Sequence, residues 1–138
     1  RMTIGVTSSF LYKIYDILIK KLKEKEYTRK IPERCEIVFE DFIKELNLFN
    51  GTKHSLSFFA QRLNLTPNYL SCRVKEYSGR TATEWIEESV ILEAKTMLKH
   101  TNLTIQEIAY KLNFPTQTFF GKYFKRITGI SPKQYRMS

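Results

Sequence analysis

Amide, hydroxyl and basic side chains recur at helical spacing over residues 116–136, beside an apolar stripe. Gln117 and Lys122 have the most distinctive hydrogen-bonding chemistry of this set. A glutamine amide donates and accepts, so it can form a paired hydrogen bond with adenine, and a lysine ammonium can donate to guanine. The same segment carries five basic residues and no acidic one. This combination predicts contact with a polyanion such as duplex DNA.

The side chains at 116–136 need a helix to position them, and a second short helix precedes it. Thr104 and Glu107 have the spacing of a capping box, and apolar residues then recur at helical spacing up to Leu112. Residues 113–115, Asn-Phe-Pro, interrupt the pattern, and Gly129 ends the second helix. Two short helices joined by a tight turn predict a helix-turn-helix.

The same pattern occurs earlier in the chain. Before the turn, Ala60, Leu63, Asn64 and Leu65 match Ala109, Leu112, Asn113 and Phe114 at an offset of 49. After it, Thr66, Tyr69, Leu70, Val74, Lys75 and Gly79 match Thr116, Phe119, Phe120, Phe124, Lys125 and Gly129 at an offset of 50. The chain is therefore predicted to hold two helix-turn-helix units, at 55–79 and 103–129, with one residue added in the second turn.

Residues 80–100, between the two units, predict one long helix. Thr81 and Glu84 form another capping box, and a buried stripe is predicted from Trp85 to Leu98. Eighteen helical residues would span about 27 Å, so this rod could place two recognition helices in neighbouring major grooves, which recur about every 34 Å. The predicted fold class is all-α, with tandem helix-turn-helix units joined by a long linker helix and extra N-terminal helices.

The N-terminal residues 1–50 are predicted to form a linker or dimerisation region, and residues 51–138 the DNA-binding domain. Residues 8–27 have an amphipathic pattern in which lysines lie opposite leucine and isoleucine. Three interpretations stay open for this segment. It could form a homodimer contact, pack on the rest of the domain, or lie on a membrane surface.

Residues 33–49 predict a helix with one apolar and one acidic face. The apolar side chains are Ile37, Val38, Phe42, Ile43, Leu46 and Phe49, and the acidic ones are Glu33, Glu36, Glu40, Asp41 and Glu45. DNA phosphates would repel the acidic face, so we interpret it as a solvated scaffold surface. Asn50 and Gly51 predict the end of this helix. His54, in the polar loop that follows, is expected to be exposed and without function.

Charge and cysteine usage limit the function classes. The 138 residues carry a net charge of +9, and residues 101–138 alone carry +5. The two cysteines and two histidines are isolated, so neither a zinc site nor a catalytic constellation can be assembled from them. We expect no metal, cofactor or enzymatic activity. If the chain were instead a DNA-repair methyl acceptor, Cys72 would be the candidate for its reactive thiol. No apolar run reaches the length of a membrane span, and a cytoplasmic, nucleoid-associated location is expected.

The outward faces of the two second helices supply the candidate DNA contacts. The residues expected to contact bases are Asn68, Ser71, Cys72, Gln117, Thr118, Gly121 and Lys122. Those expected to contact phosphates are Thr66, Arg73, Lys75, Thr116, Lys125, Arg126, Lys133 and Arg136. Both threonines also suit helix caps, and the glycine could serve either close backbone approach or packing. The alternative function is a helical protein-interaction adaptor that uses this basic face on an acidic partner.

The stretches LTPNYLSCRVKEYSG, ILEAKTMLKHTNLTIQEIAYKLNF and FFGKYFKRITGISPKQYR resemble the DNA-binding domain of the AraC/XylS family of bacterial transcription regulators. The resemblance covers residues 56–136. It implies seven helices, promoter binding that activates or represses transcription, and in many members a separate effector or dimerisation domain. The first unit departs from the family at Cys72, where a basic residue is common, and nothing before residue 30 resembles the family's jelly-roll effector domain. Duplex DNA and RNA polymerase are therefore the candidate partners.

Overall fold

The computed structural model describes residues 14, 16–20 and 33–138, and all regular secondary structure in these residues is helical, which confirms the predicted all-α class. The helices with defined bounds are α1 (Arg34–Phe49), α2 (Leu56–Arg62), α3 (Pro67–Ser78), α4 (Ala82–His100), α5 (Ile105–Lys111), α6 (Gln117–Thr128) and α7 (Pro132–Met137). Residues 14 and 16–20 are helical too, whereas most of the predicted helix at 8–27 lies outside the described residues. No helix among the described residues is long and apolar enough to cross a bilayer.

The two helix-turn-helix units have the same architecture, which confirms the internal repeat. The helices α2 and α5 have seven residues each, and α3 and α6 have twelve each. Asn64 and Asn113 occupy equivalent turn positions with φ of 57° and 64°, in the left-handed region that asparagine tolerates better than most residues. The amide of the following residue donates to the alanine carbonyl five residues earlier, at 2.9 Å in both units.

The repeat continues beyond the second helix of each unit. Gly79 and Gly129 end α3 and α6 with φ of 83° and 88°, a conformation that glycine adopts without strain. The hydroxyl oxygens of Ser78 and Thr128 each lie 2.8 Å from the carbonyl oxygen four residues earlier and 3.1 and 3.0 Å from the carbonyl oxygen two residues later, so the single hydroxyl proton can be donated to either one. A capping box then begins α4 and, correspondingly, α7. Each repeat is therefore followed directly by a third helix, α4 after the first unit and α7 after the second.

Capping boxes begin α4 and α5 at the predicted positions, Thr81–Glu84 and Thr104–Glu107. In each box the threonine hydroxyl accepts from the glutamate amide, and the carboxylate accepts from the threonine amide. These hydrogen bonds lower the pKa of both carboxyls. The ionised carboxylates also lie at the positive ends of the helix dipoles, so local sequence is sufficient to define where both helices begin.

Helix α1 packs along α3 and shares the core of the first unit. Phe39 makes an edge contact with Trp85 at 5.7 Å between ring centroids, and Phe42 does the same with Phe59 at 5.7 Å. The indole N–H of Trp85 donates to the Ser78 hydroxyl at 2.9 Å, so the tryptophan that starts α4 is buried with its polar atom paired. One hydrophobic cluster extends from α1 through α4 to α6. The predicted domain boundary at the end of α1 stays a prediction.

The buried face of α1 agrees with the prediction at four positions and differs at its edge; the four are Val38, Phe42, Ile43 and Leu46. Glu36, expected to be solvated, is only 4% exposed and accepts a hydrogen bond from the Tyr77 hydroxyl at 3.2 Å. Ile37, expected in the core, is 44% exposed, whereas Phe39 is fully buried. Adjacent residues of a helix lie about 100° apart, so periodicity predicts the centre of the buried face, and the packing partners decide which residues flank it.

Candidate nucleic-acid interface

The candidate base-contacting residues of α6 lie opposite its buried side. Phe120 and Phe124, one turn apart, are fully buried and attach the helix to the core. Gln117, Thr118 and Lys122 are all exposed. The first two lie in the first turn of the helix, where a recognition helix brings side chains to base edges, and Lys122 follows one turn later.

Gly121 lies on the same outward side of α6, between the first turn and Lys122. A Cβ added at Gly121 would meet no atom of the described residues within 4 Å. Packing in this part of the chain therefore does not require glycine here, and the close approach of an external partner stays a prediction.

The outward face of α3 has the same placement but different chemistry. Asn68 and Cys72 are exposed, and Ser71 is half-buried. The Cys72 thiol donates to the Asn68 side-chain oxygen at 3.9 Å, a weak hydrogen bond. Because Cys72 occupies the position that Lys122 has in α6, the first unit presents a less positive face than the second.

The two threonines before the recognition helices are helix caps, as predicted. The hydroxyl of Thr66 accepts from the amide of Tyr69 at 3.1 Å, and that of Thr116 accepts from the amide of Phe119 at 3.2 Å. Each cap pairs one of the amides that a helix N-terminus leaves without an intrahelical partner. The other backbone amides of the same first turn remain unpaired, and they could still bind a phosphate there. The predicted phosphate contacts of both threonines therefore stay predictions.

The four lysines among the predicted contact residues are all exposed: Lys75, Lys122, Lys125 and Lys133. Within the described residues, the ion pairs at 4.0 Å or less involve Lys20, Arg62, Arg73, Arg80 and Arg126, and none of these four lysines. The pKa of Glu84, lowered chiefly by its hydrogen bonds to Thr81, is lowered further by the charge of Lys75, which forms no ion pair with it. All four ammonium groups are therefore available to an external anion.

Arg136, expected at a phosphate, caps the end of the linker helix instead. Its Nε donates to the carbonyl of Leu98 at 2.9 Å, and Nη2 lies 3.4 Å from the carbonyl oxygens of Met97 and Thr101. The last carbonyls of a helix lack intrahelical partners and form the negative end of its dipole, so a guanidinium is stabilised there. No sequence pattern indicates this contact, because 35 to 39 positions separate the partners.

The other two arginines of the predicted phosphate set are partly engaged inside the chain. Arg73 forms an ion pair with Glu76 at 3.2 Å, and its guanidinium lies 5.3 Å from the centroid of the Tyr69 ring. Arg126 has the same two kinds of neighbour, Glu87 at 3.1 Å and the Tyr123 ring, whose centroid lies 5.2 Å from the guanidinium, but it keeps 59% of its side chain exposed against 34% for Arg73. Surface ion pairs contribute little to stability, so the greater exposure of Arg126 leaves it the more accessible of the two to a phosphate.

Phe119 of α6, although apolar, is not part of the core. Its side chain is 61% exposed, beside the outward face, while the adjacent Phe120 is fully buried. The equivalent residue of the first unit, Tyr69, is half-buried and its hydroxyl accepts from Arg34 of α1 at 3.2 Å. The difference follows from α1, which covers this side of α3.

His54 is also not the exposed loop residue that was expected. Its ring is half-buried and stacks on Phe114, with 4.1 Å between centroids and 17° between planes. Its Nε2 hydrogen-bonds to the carbonyl of Leu112, and since a carbonyl only accepts, Nε2 carries the proton. Burial lowers the pKa of His54 from its ordinary value of 6.5. No sequence signal near His54 could have indicated a partner 58 positions away.

The described residues hold no group of three or more His, Cys, Asp or Glu side chains that could bind a metal ion. Cys35 is buried and Cys72 exposed, and both are free thiols. The chemistry that the surface of α3 and α6 can perform is therefore hydrogen bonding and charge pairing.

Comparisons with known proteins agree with this architecture. A helix-turn-helix domain family matches residues 59–138. The HTH-type transcriptional activator AarP of Providencia stuartii is 38% identical over 114 residues, which cover 81% of this chain and 83% of AarP. The arabinose operon regulatory protein of Escherichia coli is 27% identical over 107 residues, 78% of this chain, and the chain spans about a third (34%) of that protein. Among solved structures, the C-terminal domain of AraT, a response regulator from Geobacillus stearothermophilus, aligns with a TM-score of 0.66 at 28% identity, covering 76% of this chain and 88% of that domain.

Proposed function

Because this chain belongs to the AraC/XylS family of helix-turn-helix transcription regulators, we propose that it inserts α3 and α6 into neighbouring major grooves of a promoter. The observation that carries the proposal is the outward face of α6. It combines exposed amide, hydroxyl and ammonium groups with a glycine whose side-chain space is open. The 19 residues of α4 span about 28 Å, which is close to the rise of about 34 Å between successive major-groove faces.

In this proposal the side chains divide into two groups. The base-contacting group is Asn68, Ser71, Cys72, Gln117, Thr118, Gly121 and Lys122. The phosphate-contacting group is Thr66, Lys75, Thr116, Lys125, Arg126 and Lys133, which leaves out the two internally held arginines. Bases supply specificity and phosphates supply register and most of the affinity.

The whole regulator would have further partners. Contact with RNA polymerase, a homodimer through residues 8–27 and action on the nucleoid in the cytoplasm are proposals of this kind. The direction of regulation would follow from where the promoter site lies relative to the polymerase.

A salt series on duplex binding tests the proposal. Four cationic phosphate contacts, Lys75, Lys125, Arg126 and Lys133, should give a slope of about −3 to −4 in log K against log salt, at about −0.9 per phosphate. The measurement is fluorescence anisotropy with duplexes first selected from a random pool. Absence of duplex binding even at low salt would contradict the proposal, and capture of an acidic protein in its place would favour the adaptor.

Gly121→Ala separates binding from stability. Alanine in a helix interior is more favourable than glycine by about 0.8–1 kcal/mol, and no atom of residues 33–138 lies within 4 Å of the new Cβ, so the free energy of unfolding should rise. Duplex affinity should nevertheless fall, because the methyl group would occupy the space needed for close approach. Urea denaturation and anisotropy on the same preparation measure the two effects. Higher stability with unchanged affinity would remove Gly121 from the interface.

A further inference from the structure

The loop between α1 and α2 contacts the turn of the second unit directly. The side-chain amide of Asn113 donates to the carbonyl of Thr52 at 2.8 Å. The imidazole of His54 hydrogen-bonds to the Leu112 carbonyl and stacks on Phe114. We call these five residues the inter-unit latch. They join parts of the chain that are about 60 positions apart, the loop that leads into the first helix-turn-helix unit and the turn of the second unit.

The same loop also packs closely against the linker helix α4. Gly51 has φ of 85°, and a Cβ there would lie 2.9 Å from the Cβ of Glu93 and 3.2 Å from the carbonyl oxygen of Ser89. Any other residue would therefore be both strained and in collision with α4. The close approach holds the start of the loop against α4 and presents Thr52 and His54 to the second unit.

The latch reaches the base of the second recognition helix. The Phe114 ring, only 7% exposed, lies 5.3 Å from Phe120 and 5.2 Å from Tyr123, measured between centroids. Both of these residues belong to α6. A displacement of the loop would therefore be transmitted through Phe114 to the helix that carries Gln117 and Lys122.

Apart from the latch, the two units are joined chiefly through α4. Within the described part of the chain, neither α2 nor α3 makes extensive contact with α5 or α6. Both units pack against α4 within one hydrophobic cluster, and apolar contacts of this kind are non-directional. The hydrogen bonds and the ring stack of the latch add a directional attachment between the loop and the second unit. We propose that the latch fixes the relative orientation of α3 and α6, and so sets the separation of the two DNA half-sites.

This inference rests on the proposed function, and half-site spacing is its first test. The variant His54→Ala/Asn113→Gly removes the stack and the amide bond, and glycine accepts the φ of 64° at position 113 without strain. Two inserted base pairs rotate one half-site by about 70° relative to the other. The unmodified protein should then lose about 100-fold in affinity, because two-site engagement is lost, whereas the variant should lose less than about tenfold. Equal losses in both proteins would overturn the proposal.

Asn64→Gly is the matched control for the latch variant. It makes the same change at the equivalent turn position, where φ is 57°, in the unit whose asparagine faces no latch. The control should keep the spacing preference of the unmodified protein. Loss of that preference in the control would show that turn flexibility, not the latch, sets the spacing.

A distance measurement without DNA tests the latch independently. Nitroxide labels on Cys72 and on Lys122→Cys, in a Cys35→Ala background, report the separation of α3 and α6 by pulsed electron paramagnetic resonance. The distribution should be narrow with the latch intact and broad in the His54→Ala/Asn113→Gly variant, while circular dichroism shows both to be folded. An unchanged distribution would overturn the proposal. A broadened one in a protein that binds no duplex would uphold the latch and reject the DNA-binding function.

Discussion

Phe120→Ala should lower the free energy of unfolding by about 3–5 kcal/mol. The side chain is fully buried, and its ring lies 5.3 Å from Phe114 and 6.0 Å from Phe124 between centroids. Truncation would remove the buried apolar area and leave a cavity beneath α6 that close-packed neighbours can fill only in part. Since small domains are stable by about 5–15 kcal/mol, urea denaturation followed by circular dichroism should show a large shift in midpoint.

Phe119→Ala is the matched control, because it truncates the same residue type at the adjacent position. Because Phe119 is 61% exposed, its truncation should lower the free energy of unfolding by less than about 0.5 kcal/mol. The pair therefore measures which side of α6 faces the core. Similar losses for both variants would mean that α6 is rotated from the orientation described, and the assignment of its outward face would fall with it.

Lys122→Ala should reduce discrimination at one base pair of the selected DNA site. If the ammonium donates to guanine acceptors, its loss removes about 1–3 kcal/mol of preference, or roughly 5- to 150-fold. Lys122 is exposed, and within the described residues no carboxylate pairs with it, so the fold should be unaffected. Competition among duplexes that carry each of the four base pairs at successive positions would locate the effect.

Lys133→Ala gives the contrasting result expected of a phosphate contact. It is exposed in the first turn of α7, away from the first turn of α6. Affinity should fall alike for all sequences, and the salt slope should become shallower by about 0.9. Equal, sequence-independent losses from Lys122→Ala and Lys133→Ala would contradict the division between base and phosphate contacts.

The predictions that the structure confirms depend on signals close together in sequence. The capping boxes of Thr81 and Thr104 and the glycine stops at Gly79 and Gly129 each lie within a few residues of the end that they define. The internal repeat adds a second constraint, because each unit predicts the other. The offsets of 49 and 50 residues recur in the structure as paired helices of equal length on either side of an asparagine turn.

The predictions that differ from the structure concern surfaces whose partners are far away in sequence. Helical periodicity alone placed Ile37 in the core and Glu36 in solvent, but at this edge of the buried face the packing against α3 encloses Glu36, which accepts a hydrogen bond from Tyr77. Similarly, the sequence pattern places Arg136 on a basic surface, whereas in the structure its guanidinium donates to a carbonyl at the end of α4. In each case the chemistry of the residue is compatible with both positions, so its own sequence neighbourhood does not decide between them.

The sequence by itself determined the helix boundaries, the duplication and the residue types that α6 can offer to DNA, because capping, turn chemistry and periodicity act within one or two helical turns. Only the tertiary structure decided which arginines remain accessible, that Gly121 has open space beside it, and that the loop with His54 contacts the turn with Asn113. These depend on contacts between segments that only folding brings together. The relative position of α3 and α6, on which recognition of two half-sites would depend, belongs to this second group.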